Sequence, residues 1–85
     1  MSEKLELFKK KLLYRASYRG TKEMDILLSK FVKKHVNVFD YDQLKQLEKF
    51  LAFEDEIILD FYNYNKINKN IDKNEISQIF KKFKL

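Results

Sequence analysis

Tyr18-Arg19-Gly20-Thr21-Lys22-Glu23-Met24-Asp25-Ile26-Leu27-Leu28 holds the only glycine of an 85-residue chain that contains no proline. In a composition so favourable to helix, that glycine is a placed residue. It either carries a turn with φ above zero or leaves room for a second chain to come close to the backbone. Arg19 beside it is a permanent cation with a planar donor fork, and Glu23 follows within about one helical turn. As a helix start, Gly20 is an acceptable N-cap. Glu23 at the third helical position then complements the positive helix end and can reach back to the Gly20 N–H as in a capping box. As a recognition element, the same residues gather a cation, a bare backbone position and an anion. The residues alone leave both readings open.

Outward from this stretch, apolar residues recur at helical spacing in both directions. Leu5, Phe8, Leu12 and Leu13 predict a helix over about 3–18, and Met24, Leu27, Leu28, Phe31 and Val32 a second that ends near His35. Asp40 reads as an N-cap with Gln43 as its box partner. Leu44, Leu47, Phe50 and Leu51 carry the third stripe, and Ile57, Ile58 and Phe61 a short fourth one. Residues 63–70 alternate Asn and Lys with single apolar residues and predict a loop. Asp72 with Glu75 reads as a further cap, and Ile76, Ile79, Phe80 and Phe83 as a last stripe, so a C-terminal helix is expected over about 72–83. The expected fold is all-α: a small five-helix bundle in a single domain, 1–85. The polar loop leaves the packing of the last helix least determined.

A chain this short buries only about 60–65% of its unfolded surface. Eight Phe and five Tyr compensate, because each large ring buries about 150–250 Å². With no Cys, a disulfide scaffold and a thiol metal site are excluded. Neither a long apolar run nor a signal-peptide pattern is present, which predicts a soluble, intracellular protein without membrane insertion. The net charge of +5 is unevenly spread. Residues 1–35 and 66–85 are basic and residues 36–65 acidic, a pattern that steers association with charged partners.

Enzyme signatures are absent. His35 is the only histidine and has no Cys or paired nucleophile beside it, so it reads as structural. One glycine cannot build a phosphate loop. Glu54-Asp55-Glu56 lacks the spacing and central glycine of a calcium loop and reads as a solvated helix start. Lys9, Lys10 and Lys11 do not form one stripe, since Lys9 and Lys11 lie on opposed sides of a helix, and no nucleic-acid-binding motif accompanies them or Lys33-Lys34. The lysines therefore read as solvated faces. Tyr14, Tyr18, Tyr62 and Tyr64 are less clearly placed on the stripes, and tyrosine suits a contact surface, so some of them are candidates for one. The alternative functions are a basic nucleic-acid- or ribosome-associated module, which would bind in a salt-dependent manner, and one half of a toxin–antitoxin pair in which Gly20 merely turns the chain.

Leu13-Tyr14-Arg15-Ala16-x-Tyr18-Arg19-Gly20-Thr21-Lys22-Glu23-Met24-Asp25-Ile26-Leu27-Leu28 resembles the signature of the SdhE-like succinate dehydrogenase assembly factors: Arg-Gly-x-x-Glu, then Leu or Met, Asp and an apolar run. Phe31-Val32-x-x-His35, Leu44-x-x-Leu47-Glu48-x-Phe50-Leu51 and Asp55-x-x-Ile58-Leu59-Asp60-Phe61 continue the likeness, which covers residues 8–62. Glu56 stands where the family often has Pro, and Phe61 where it usually has Trp. The resemblance implies a five-helix assembly factor that is not an enzyme. Such a factor binds the flavoprotein subunit of succinate dehydrogenase, or in some bacteria of fumarate reductase, and promotes covalent attachment of FAD to that subunit. By position, Arg19, Gly20 and Glu23 are its partner-binding residues, with Arg15, Tyr18 and Asp25 as further candidates. The chain itself is expected to hold no cofactor tightly, to take no nucleic acid as partner and to be a monomer when free. Its expected location is the cytoplasm, or the mitochondrial matrix after import.

Overall fold

The computed structural model describes residues 3–84. Among these residues five helices follow one another: α1 Glu3–Ser17, α2 Lys22–His35, α3 Tyr41–Leu51, α4 Asp55–Tyr64 and α5 Glu75–Lys82, with a 3₁₀ turn at Ile71–Lys73 ahead of the last. No strand occurs among the described residues. The expected all-α, five-helix architecture is what the chain adopts.

Each boundary has a local cause. Tyr18–Thr21 is the whole connection between α1 and α2, and the two helices pack along each other more extensively than any other pair. Its centre is Gly20 at φ +119°, a conformation that a side chain strains. The cap of α2 is Thr21 rather than Gly20: its hydroxyl accepts from the Met24 N–H at 3.3 Å. Glu23 is consequently the second helical residue and makes no capping box with Gly20. The cap at α3 is the expected one. Asp40 accepts from Gln43 N–H at 2.8 Å, and Gln43 accepts from Asp40 N–H at 3.0 Å.

α4 ends at Asn65, which is left-handed with φ 60° and donates to the Asp60 and Phe61 carbonyls. Asn is one of the few non-glycine residues that tolerate this geometry. The cap of α5 is Asn74, not Asp72: the Asn74 side chain accepts from Ile76 and Ser77 N–H, while Asp72 lies inside the 3₁₀ turn. The last helix therefore starts three residues later than its sequence signal suggested.

One core joins all five helices. Phe31 of α2 is fully buried at its centre, worth about 1.5–3 kcal/mol in transfer from water. Three other rings meet it edge-on: Phe50 of α3 at 6.3 Å, Phe80 of α5 at 5.1 Å and Phe83 at 5.3 Å between centroids. Such edge-to-face pairs add about 0.5–1.5 kcal/mol each beyond their burial. α5, whose packing the sequence left open, is thus an integral layer. Ile76 and Phe80 are fully buried, and the Tyr62 hydroxyl donates to the Phe83 carbonyl at 2.7 Å. His35 is structural, as expected: Nδ1 lies 3.0 Å from the Phe31 carbonyl and the ring stacks on Phe39 at 5.3 Å. No helix among the described residues is long and apolar enough to cross a membrane.

Candidate functional site

The Gly20 turn lies on the surface between the end of α1 and the start of α2. A Cβ built on Gly20 would meet nothing within 4 Å. The space beside it is open, so the glycine is required by its positive φ and not by a neighbour within the chain.

Glu23 projects from the first turn of α2, exposed, with no side-chain hydrogen bond or ion pair among the described residues. Its carboxylate is available to a partner cation, while the positive end of α2 favours its charge. Tyr18 and Tyr14 sit one helical turn apart at the end of α1, rings tilted with centroids 4.6 Å apart. They are 70% and 66% exposed and present an amphipathic face, apolar along the rings and wet at the hydroxyls. Arg15, between them in sequence, faces Glu48 of α3 at 3.8 Å. Both side chains are partly solvated, so this pair contributes little to stability.

Arg19 behaves differently from its exposed neighbours. Its side chain is only 11% exposed and turns into the protein. Nε donates to the Asp55 carboxylate at 2.8 Å, and the two terminal nitrogens donate to the Leu51 carbonyl at 2.7 Å and the Phe53 carbonyl at 2.8 Å. The guanidinium fork thereby closes over the turn between α3 and α4, satisfying the Leu51 carbonyl that the end of α3 leaves without a helical partner and the Phe53 carbonyl of the turn itself. The backbone N–H of Arg19 donates to the Asp25 carboxylate, which is itself half-buried.

The six sequence-derived candidates are therefore brought together around one turn but do not share one role. Gly20, Glu23 and Tyr18 face solvent, Arg15 lies at the edge, and Arg19 and Asp25 point their polar groups inward. Sequence reasoning missed Asp55, which it placed in a solvated acidic run. Of the tyrosines read as candidates for a contact surface, Tyr14, Tyr18 and Tyr64 are exposed, whereas Tyr62 packs against the core and donates its hydroxyl to the Phe83 carbonyl. Of the acidic run, Asp55 is engaged by Arg19, and Glu54 meets Lys69 at 3.4 Å on the surface.

A family model described as flavinator of succinate dehydrogenase matches residues 10–84. Among curated proteins, succinate dehydrogenase assembly factor 2, mitochondrial, of Scheffersomyces stipitis is 34% identical over 83 residues, covering 93% of this chain and 54% of that protein. Assembly factor 2-B, mitochondrial, of Drosophila willistoni is 45% identical over 49 residues, covering 58% of this chain and 31% of its own length. The assembly factor 2 of Danio rerio is 41% identical over 49 residues, with 58% and 31% covered. The chain thus spans between about a third and about half of the length of these relatives. No solved structure matches.

Proposed function

The chain belongs to the family of succinate dehydrogenase flavinators, and from that premise we propose that it binds the flavoprotein subunit of succinate dehydrogenase and promotes covalent attachment of FAD to that subunit. The observation that carries the reading is the Gly20 turn: a bare backbone at φ +119° with open space beside it, flanked by an exposed carboxylate and an exposed tyrosine pair. A client strand or loop laid against Gly20 can approach to backbone distance. Glu23 would pair with a cation of the client, and Tyr18 and Tyr14 would cover its apolar surface.

On this reading the chain has no catalytic site of its own. It holds the client so that the client's flavin and acceptor side chain stay in reacting geometry, and orientation alone accelerates such a step strongly. The chain works as a monomer and keeps no flavin for itself. It acts where the client is assembled, in the cytoplasm of a bacterial-type cell or in the mitochondrial matrix.

The test is complementation. Expressed in a strain that lacks its native factor, the chain should restore covalent flavin on the flavoprotein subunit, seen as fluorescence in a denaturing gel, and should co-purify with that subunit. Fluorescence no higher than in the empty strain refutes the reading. A stoichiometric yellow flavin surviving purification of the free chain refutes the cofactor-free part alone.

A further inference from the structure

Two half-buried carboxylates hold Arg19, the residue that precedes the exposed Gly20. We infer that Asp55, in the first turn of α4, and Asp25, in the first turn of α2, are positioning residues for the client-facing turn, acting through Arg19; the inference rests on the client-binding reading above.

Arg19 is gripped at both ends. Its backbone N–H is held by Asp25, and its guanidinium by Asp55 and the Leu51 and Phe53 carbonyls. The Asp55 contact spans 36 residues of sequence and ties the α1–α2 turn to the α3–α4 turn. With the residue before it fixed in backbone and side chain, Gly20 has little freedom left, and its φ of +119° is imposed by the surroundings. The two carbonyls are neutral acceptors. Among the described residues Asp55 is the one that pairs its charge with the guanidinium, and a guanidinium so nearly buried needs a counter-charge. The carboxylate also lies in the first turn of α4, where the helix end favours it.

The arrangement assigns the signature arginine to the inside of the site. Three of its N–H groups are engaged within the chain, so its fork does not stand free to clasp a client carboxylate. The contact surface is instead Gly20, Glu23 and the Tyr14–Tyr18 pair, presented at the angle that Arg19 sets. A site held in this way depends on its supporting residues as much as on those that touch the partner.

Asp55 is not needed to form the helices. α4 is anchored by Ile57, Ile58 and Phe61, all buried. Asp55→Ala should therefore stay helical by circular dichroism, yet bind purified flavoprotein subunit on the order of tenfold more weakly at equal folded concentration, a loss typical of a displaced positioning element. Asp25→Ala should do the same, and Asp55→Asn, which keeps a neutral acceptor for Nε, should fall between. Ile79→Ala is the control: it is partly buried on α5 beside His35, at the other end of α2, and should lower stability while binding normally. In a nitrogen–proton NMR spectrum of the free chain, the Gly20 and Glu23 amides should shift in Asp55→Ala and stay in place in Ile79→Ala. Wild-type binding by Asp55→Ala, or an unshifted Gly20 amide, overturns the inference. A wild-type chain that does not bind the subunit overturns the client reading instead, and the Gly20 amide still decides whether Asp55 positions the turn.

Discussion

Asn74 donates from its side-chain nitrogen to the Gln46 carbonyl at 3.0 Å, across 28 residues of chain, while its side-chain oxygen accepts from Ile76 and Ser77 N–H at 2.7 and 3.2 Å. One buried amide thus caps α5 and fastens it to α3. Both halves of the amide are used, so the residue type and its orientation are set together.

Asn74→Ala removes a cap and leaves the Gln46 carbonyl without this partner. The expected loss is about 2 kcal/mol, which in a domain of this size lowers the melting temperature by on the order of 10 °C. Asn74→Asp keeps the acceptor but turns an oxygen toward the Gln46 carbonyl, and should not restore the wild-type value. Thermal melts followed by circular dichroism at 222 nm, the usual helical signal, check both.

Phe80→Ala opens a cavity beside Phe31 and Phe50. Phe80 is fully buried, with ring centroids 5.1 and 5.2 Å away, and the expected cost is about 3–5 kcal/mol. That is a large part of the roughly 5–15 kcal/mol that a domain possesses. The urea midpoint should fall steeply with little change in slope. An unchanged midpoint would mean that α5 is not part of the cooperative core.

Glu23→Ala should separate function from stability. The side chain is exposed and caps nothing, so only its interaction with the end of α2 is lost, roughly 0.3–1 kcal/mol. The fold should persist while flavin attachment to the client falls. Normal flavin fluorescence on the client's gel band would remove Glu23 from the contact surface.

Gly20→Arg should fold and fail to bind. The open space beside the glycine accepts a side chain, so the penalty within the chain is the backbone strain of a φ of +119°, about 1–3 kcal/mol. Gly20→Ala carries the same strain with almost no bulk. Comparable melting temperatures with unequal client binding would show that the defect lies in the partner's approach. Equal binding by both, at equal folded concentration, would reduce Gly20 to a turn.

Short-range features were legible in the sequence because their partners are close. Asp40 and Gln43 cap each other within one turn, and the apolar stripes of α1 to α4 mark their buried faces directly. The errors came where a local signal competed with a distant one. Asp72 and Asn74 are both plausible caps, and what selects Asn74 is Gln46 on another helix. Gly20 and Thr21 are both acceptable caps; the glycine is consumed by the turn, so the hydroxyl takes the cap. The site divides in the same way. Its exposed members, Gly20, Glu23 and Tyr18, follow from one contiguous stretch. The inward direction of Arg19 follows from Asp55, and nothing in the spacing of two residues 36 apart announces that they meet.

The placement of Phe31 bears on how the chain is made. The chain is made from its N-terminus, so α1 to α4 are synthesised while one side of that ring still lacks its cover, because Phe80 and Phe83 supply it. Until residues 80–83 arrive, the nascent protein carries an open aromatic face beside Phe50, the kind of surface that draws holdases and promotes clumping during synthesis. Proteolytic trimming just ahead of Phe80 would therefore do more harm than the loss of one short helix suggests, since it would leave the centre of the molecule unsealed.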